Sequence, residues 1–155
     1  TVNLDYEFLS QTDMIMIEMK SPIVAPNASS AVDISAGVQN FFDGSAYPFV
    51  STYLKPIIIA VDFSSLEGSG SDCKSKANSC ESIIKNVYST EQVDLDEQMY
   101  IYDAILSEVL QREWILGVVS MGYNPSVAIL DGSSSVRGKP AGEVLRHYFS
   151  KVLQD

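Results

Sequence analysis

The side chains that could carry nucleophilic chemistry are few in this sequence. There is one histidine, His147, and there are two cysteines, Cys73 and Cys80. Nucleophilic catalysis requires a base beside a serine or cysteine, so a small secreted hydrolase would have to pair His147 with a serine. No G-x-S-x-G elbow is present to expose that serine. We therefore expect no catalytic residue and no enzyme. Because imidazole titrates near neutral pH, His147 is instead a candidate pH-sensing residue.

The two cysteines are predicted to form a disulfide. Zinc sites usually need three or four closely spaced His, Cys or carboxylate ligands, and His147 lies far along the chain from Cys73 and Cys80. Paired cysteines in a polar loop of serine, lysine and asparagine suit an oxidising compartment. The sequence thus predicts an extracytoplasmic protein, either periplasmic or secreted.

The segment D-G-S-S-S at 131–135 is the sharpest local motif. It resembles the metal-ion-dependent adhesion site of von Willebrand factor A and integrin inserted domains, where D-x-S-x-S follows the first strand. Asp131, Ser133 and Ser135 match that pattern position by position. The resemblance implies a Mg²⁺ site with oxygen ligands. The later Thr and Asp of that family's site have no counterpart here, so this metal-dependent module is an alternative and our main expectation is that no metal is bound.

Other motifs give weaker signals. Asp94, Asp96 and Glu97 could supply paired carboxylates for acid–base work, but capping of a predicted helix start already explains them. Asp62 follows a predicted buried strand and could line a site, although no partner residue can be named. The glycine spacing at 132–139 does not match a phosphate-binding loop, and no cofactor is predicted.

Composition excludes several classes of partner. Lys plus Arg number 10 and Asp plus Glu number 20, which gives a net charge of −10. Nucleic-acid binding requires clustered cations that displace counterions, so nucleic acid is not expected as a partner. No apolar run approaches the roughly 18–20 residues of a spanning helix, and no transmembrane segment is predicted. Apolar residues make up 46% of the chain, which is enough for a core.

Apolar periodicity predicts the elements of the first part of the chain. Alternation over 2–9 and a continuous apolar run within 13–20 predict two strands joined by a turn at 11–13. Ser29 or Ser30 can cap a helix over 31–42. The segment 47–63 is predicted to be extended, with a buried strand at 57–61.

A glycine- and serine-rich stretch at 66–71 is predicted to be a flexible linker, and it resembles an engineered spacer. It would divide a strand-rich half, 1–65, from a helix-rich half with the disulfide loop, 72–155. The second half is predicted to contain a helix over 95–116, strands at 117–123 and 126–130, and a last helix over 141–153.

These elements predict an α+β fold with a mixed or antiparallel sheet and two to three packed helices. Each half is small, so two incomplete halves are expected to share one core.

The functional expectation that follows is a non-enzymatic binding or sensor module outside the cytoplasm. The chain holds eight tyrosines, six phenylalanines and five methionines, side chains that suit a protein partner or a small amphipathic ligand. One concrete version is the periplasmic part of a membrane regulator fused to its partner and acting in signal transduction.

Overall fold

The computed structural model describes residues 6–73, 80, 93–123 and 131–152. Three strands form one sheet in the order β1 (Ile15–Lys20), β2 (Ile57–Asp62) and β3 (Ile115–Ser120), and both pairings are parallel. The helices are α1 (Ala31–Phe41), α2 (Tyr47–Tyr53), α3 (Leu95–Val109) and α4 (Pro140–Val152). Short 3-10 helices span Glu7–Gln11 and Ser69–Ser71, and a π-helical turn, Phe42–Ala46, joins α1 to α2.

The predicted mixed or antiparallel sheet is wrong, because β1, β2 and β3 all run in the same direction. Parallel neighbours cannot be joined by a tight hairpin and need a crossover connection. The connections between these strands pass through helices, which makes the fold a small α/β arrangement. The predicted hairpin, with a turn at 11–13, is also wrong, because Glu7–Gln11 forms a 3-10 helix instead of a strand. The predicted strand at 126–130 lies outside the described residues.

Local signals explain where the helices begin. The hydroxyl of Ser30 accepts a hydrogen bond from the backbone N–H of Asp33, which caps α1. The carboxylate of Asp94 accepts from the N–H groups of Asp96 and Glu97 at the start of α3. The segment predicted to be extended from residue 47 instead forms α2, which ends at Leu54 with a left-handed backbone conformation.

The hydrophobic core lies between one face of the sheet and the helices. Ile57, Ile59 and Val61 alternate along β2, and each is 0% exposed. Helix α3 packs against both α1 and α4, so these three helices lie side by side over that face. Both sides of the 66–71 segment contribute to the core, through Ile15, Met19, Ile34, Val38, Ile101, Ile105, Ala141 and Leu145.

The opposite face of the sheet is open among the described residues. In the strand register, Glu18 of β1 lies beside Ala60 of β2, and Lys20 lies beside Asp62. Met16 on this face is 59% exposed and Val119 of β3 is 39% exposed. The three strands thus lie in chain order in the sheet, and the helices of the described ranges pack over one of its faces.

The 66–71 segment is hydrogen-bonded to two other parts of the chain. The carbonyl oxygen of Gly70 accepts from the N–H groups of Ile23 and Val24, at 2.7 and 3.1 Å. The N–H groups of Gly68 and Gly70 donate to the Glu97 carboxylate, at 2.7 and 2.9 Å. The division of the chain into two halves and the engineered origin of this segment stay predictions.

Candidate functional site

Polar side chains gather where the strands of the parallel sheet end. We call this the carboxyl edge; Lys20, Asp62 and Ser120 are the last residues of the three strands. The loops that follow β2 and β3 lie at the same edge, because all the strands point the same way. In parallel β/α folds this edge is where ligands bind and reactions occur.

Asp62 is the carboxylate that the central strand places at this edge. Its side chain is half-buried and belongs to the open face, two residues after Ala60. Lys20 lies beside it in the register, and the Lys20 ammonium forms an ion pair with Glu18 at 2.9 Å. Because a parallel sheet has fixed spacings, the Cα atoms of Glu18 and Asp62 are about 8 Å apart on the same face. Two carboxylates and one cation thus share a small part of the open face.

A buried lysine joins the loops that follow β2 and β3. The ammonium of Lys139 donates to the hydroxyl of Ser65 at 2.9 Å and to a carboxylate oxygen of Asp131 at 2.8 Å. It also donates to the backbone carbonyls of Asp131 and Ser133, each at 3.0 Å. The Lys139 side chain is 1% exposed. Such a charge is tolerated inside a protein only with this degree of pairing.

The electrostatics of this pair follow from its burial. Burial lowers the pKa of Lys139, and the hydrogen bond and charge of Asp131 offset only part of that effect. Burial also raises the pKa of Asp131, but hydrogen bonds from Lys139 and Ser133 outweigh it, so the net pKa lies below its ordinary value. Asp131 therefore stays a carboxylate, which accepts hydrogen bonds from Ser133 and Lys139 within the loop.

The structure brings together the three residues of the predicted metal motif. The Ser133 N–H and hydroxyl both donate to the Asp131 carboxylate, and the Ser135 N–H donates to the Ser133 hydroxyl oxygen at 3.3 Å. The cation beside Asp131 in this arrangement is the Lys139 ammonium. No group of three or more His, Cys, Asp or Glu residues that could hold a metal occurs in the part of the chain that the structure describes. Metal binding at these residues stays a prediction.

Glu97 has a structural partner in the loop after β2. Its carboxylate receives the two glycine N–H bonds described above, and burial raises its pKa although those bonds oppose the shift. The Asp94 carboxylate caps the first turn of α3. Glu97 therefore holds the β2 loop against α3.

The remaining predicted residues lie elsewhere. His147 is exposed on α4, in a groove whose lining includes Asp103 and Glu143, and its ring contacts Tyr148. The Ser150 hydroxyl donates to the backbone carbonyl of His147 rather than to its imidazole. A role for His147 in pH sensing stays a prediction. The disulfide between Cys73 and Cys80 is confirmed.

Sequence reasoning missed Ser65, Glu18 and Lys20, and it did not predict the partners of Lys139. The partners of Lys139 are 74 and 8 residues away along the chain, so no local pattern joins them. Glu18 and Lys20 could have been recognised, since they alternate with apolar residues in β1 and must share one face. Only knowledge of the parallel pairing places them beside Asp62.

Comparison with known proteins supports the α/β assignment. A scan of known protein families and a search of curated proteins found no match. Two solved structures of GH113 β-1,4-mannanases are similar to this chain. In one, a complex, the match covers 93% of this chain and 41% of that chain, with 22% identity and a TM-score of 0.58. In the other, the match covers 87% of this chain and 38% of that chain, with 20% identity and a TM-score of 0.51.

This chain therefore spans less than half the length of the mannanases that it matches. At this identity the likeness concerns the fold. It nevertheless overturns the prediction of a non-enzymatic sensor module and its keywords of sensing, ligand binding and signal transduction. That prediction considered paired carboxylates only at Asp94, Asp96 and Glu97, whereas the two carboxylates of a glycoside hydrolase are brought together by the fold and form no compact sequence motif.

The disulfide is compatible with an extracellular location. None of the helices within the described ranges is both long enough and apolar enough to cross a bilayer.

Proposed function

We propose that this chain carries the active site of a glycoside hydrolase that cleaves β-1,4-linked mannan, with Asp62 as a reacting carboxylate. The observation that carries the proposal is the position of Asp62, at the end of the central parallel strand on the open face. The fold likeness to β-1,4-mannanases supports the reaction class and the substrate.

The chemistry requires two carboxyl groups that flank the scissile bond. One protonates the leaving oxygen, and the other attacks the sugar carbon or activates a water, across separations of about 5 to 9.5 Å. Glu18 is a second carboxylate on the open face, about 8 Å from Asp62 between Cα atoms. Lys20, paired with Glu18 and beside Asp62 in the strand register, adds a positive charge to this part of the open face.

A secreted or periplasmic location fits this function. A polysaccharide is too large to cross a membrane unaided, and the disulfide between Cys73 and Cys80 would persist outside the cell. The location is part of the proposal.

The test is release of reducing ends from β-1,4-mannan by the full chain and by Asp62→Asn. We expect Asp62→Asn to lower kcat/KM by about 100-fold or more, because a positioned carboxylate contributes at least that much. The matched control is Asp13→Asn, which changes an exposed aspartate just before β1, at the opposite edge of the sheet. It should leave the rate unchanged.

A second variant, Glu18→Gln, tests the partner carboxylate. Loss of activity in Glu18→Gln with retained binding of mannohexaose would assign the pair. If the chain neither cleaves mannan nor binds mannohexaose, or if Asp62→Asn and Asp13→Asn behave alike, the proposal is wrong.

A further inference from the structure

We infer that Asn27 is an acceptor site for an N-linked glycan in the secretory pathway of a eukaryotic cell. The segment Asn27-Ala28-Ser29 has the form N-x-S that this modification requires. One other asparagine, Asn124, is followed two positions later by a serine, but Pro125 lies between them and excludes it. Mannan cleavage does not involve Asn27, so the proposed function has no bearing on this site.

A tight turn places Asn27 at the tip of the loop between β1 and α1. The Ala28 N–H donates to the Ala25 carbonyl at 3.1 Å, which closes a four-residue turn. Pro26 is at the first central position of this turn, and Asn27 is at the second with a φ of 68°. Those are the features of a type II turn, which favours Gly or Asn at the second central position. The turn therefore explains the asparagine, but it does not explain the serine two residues later.

The two adjacent serines at the end of this loop differ in what they contact. The Ser30 hydroxyl caps α1, because it accepts from the Asp33 N–H at 3.2 Å. Within the described ranges, no hydrogen bond occupies the Ser29 hydroxyl or the Asn27 side chain. Asn27 and Ser29 are both exposed. The two residues that a glycosyltransferase must recognise are thus both accessible.

The base of the loop is fixed, whereas its tip is exposed. The N–H groups of Ile23 and Val24 both donate to the Gly70 carbonyl. Helix α1 packs closely on the same base, since a Cβ at Gly37 would lie 2.3 Å from the Ile23 carbonyl oxygen. An N-linked glycan is bulky and hydrophilic, so only a side chain that projects from the surface can carry it without displacing packed groups. Asn27, at the exposed tip, meets that requirement.

Exposed apolar side chains flank the acceptor along the chain. Val32, in the first turn of α1, is 78% exposed, and Ala25, Pro26 and Ala31 are also exposed. We expect the first sugars of a glycan on Asn27 to cover part of this surface, which removes apolar area from contact with water.

The disulfide between Cys73 and Cys80 supports the same compartment. Disulfides form in the oxidising lumen of the endoplasmic reticulum, where N-linked glycans are also attached. In the transfer, the Asn27 amide nitrogen forms a bond to C1 of the first sugar of a lipid-linked oligosaccharide diphosphate. The bond between C1 and the diphosphate oxygen breaks, and the lipid diphosphate leaves with that electron pair and takes up the amide proton. No oxidant or reductant is consumed.

The test is translation of the full chain, preceded by a cleavable signal peptide, in the presence of endoplasmic reticulum microsomes. We expect one slower-migrating form on a gel, which peptide-N-glycosidase converts back to the unmodified mobility. That enzyme leaves Asp in place of the glycosylated Asn, so the mass of the released peptide locates the site at Asn27. Asn27→Gln should abolish the slower form. Asn124→Gln is the matched control and should leave it unchanged.

The adjacent serines separate the modification from the structural role of the loop. Ser29→Ala should abolish the glycan without lowering Tm, whereas Ser29→Thr should retain the glycan. Ser30→Ala should keep the glycan but lower Tm by about 3 °C, because it removes the cap of α1. Thermal denaturation of the unglycosylated variants measures the second effect.

Two outcomes would overturn the inference. The first is the absence of a slower form when a known glycoprotein is modified in the same microsomes. The second is a slower form that persists in Asn27→Gln or in Ser29→Ala. Neither outcome bears on mannan cleavage, so the glycan site and the proposed function can fail separately.

Discussion

The two faces of the sheet are made by the same three strands but are used differently. On the helix-covered face, Ile57, Ile59 and Val61 are completely buried. On the open face, the neighbouring positions carry Glu18, Lys20 and Asp62, and Met16 is more than half exposed. Since the core is built from one face, the other is free to hold charged groups close together. The comparison therefore predicts that stability and activity depend on alternate residues of the same strands.

Two ion pairs of the molecule, one in the loops at the carboxyl edge and one on the open face, also differ in burial. Lys139 and Asp131 are paired at 2.8 Å with the lysine almost fully buried, whereas Lys20 and Glu18 are paired at 2.9 Å in solvent. The first pair fixes loops in place. The Lys20–Glu18 pair is exposed and lies beside Asp62, where a substrate could displace it.

The largest expected effect is at the centre of the covered face. Ile59→Ala should lower the free energy of unfolding by about 4 kcal/mol, because it removes buried methyl groups and leaves a cavity. Met16→Ala on the open face should change it by about 0.5 kcal/mol or less. Urea denaturation of both variants measures this contrast. Equal losses would show that the open face is covered in solution.

The buried ion pair gives the next largest effect. Lys139→Met should cost about 3 kcal/mol, since it leaves the Asp131 carboxylate without its cation among partly buried groups. Lys20→Met is the matched control, and it should cost about 1 kcal/mol or less because surface pairs contribute little. The same denaturation experiment compares them. A stable Lys139→Met variant would mean that Ser133 and water suffice to solvate Asp131.

The smallest effect concerns a hydroxyl on the covered face. Tyr102 is buried, and its hydroxyl bonds to that of Ser120 at 2.9 Å. Tyr102→Phe should cost about 1 kcal/mol at neutral pH, which is typical of one such bond.

The same tyrosine predicts a dependence of stability on alkaline pH. Burial raises the pKa of Tyr102 from 10.0 to about 12. The unfolded chain therefore loses this proton first, so stability is intact below pH 10 and falls as the pH rises toward 12. Tyr102→Phe should show a smaller fall between pH 10 and 12 in thermal denaturation. Parallel curves for the two proteins would contradict this assignment.

Local features of the fold could be predicted from the sequence. The caps at Ser30 and Asp94 and the apolar run of β2 were identified, because each depends on residues a few positions apart. The end of α3 was placed too late: apolar periodicity continues past Val109 to Trp114, although the chain turns there and enters β3. Periodicity alone does not distinguish a helix end from the start of a strand.

Strand direction and the site could not be predicted in the same way. Pairing between β1 and β2 joins residues about 40 positions apart, as in Ile15 and Ile57, and no local pattern gives its direction. Asp62 was recognised as the end of a buried strand. Its neighbours Glu18 and Lys20 follow only from the parallel register, so the carboxylate pair was missed.

The anchoring of the 66–71 segment also affects how the chain resists digestion. By composition this stretch would be the first place for a protease to cut. A protease binds its substrate as an extended strand, and Gly68 and Gly70 cannot extend without releasing the Glu97 carboxylate. Extension would also break the contacts of Gly70 with Ile23 and Val24. Cleavage there would require the loop after β2 to detach from α3, so the most linker-like part of the sequence is protected by the fold.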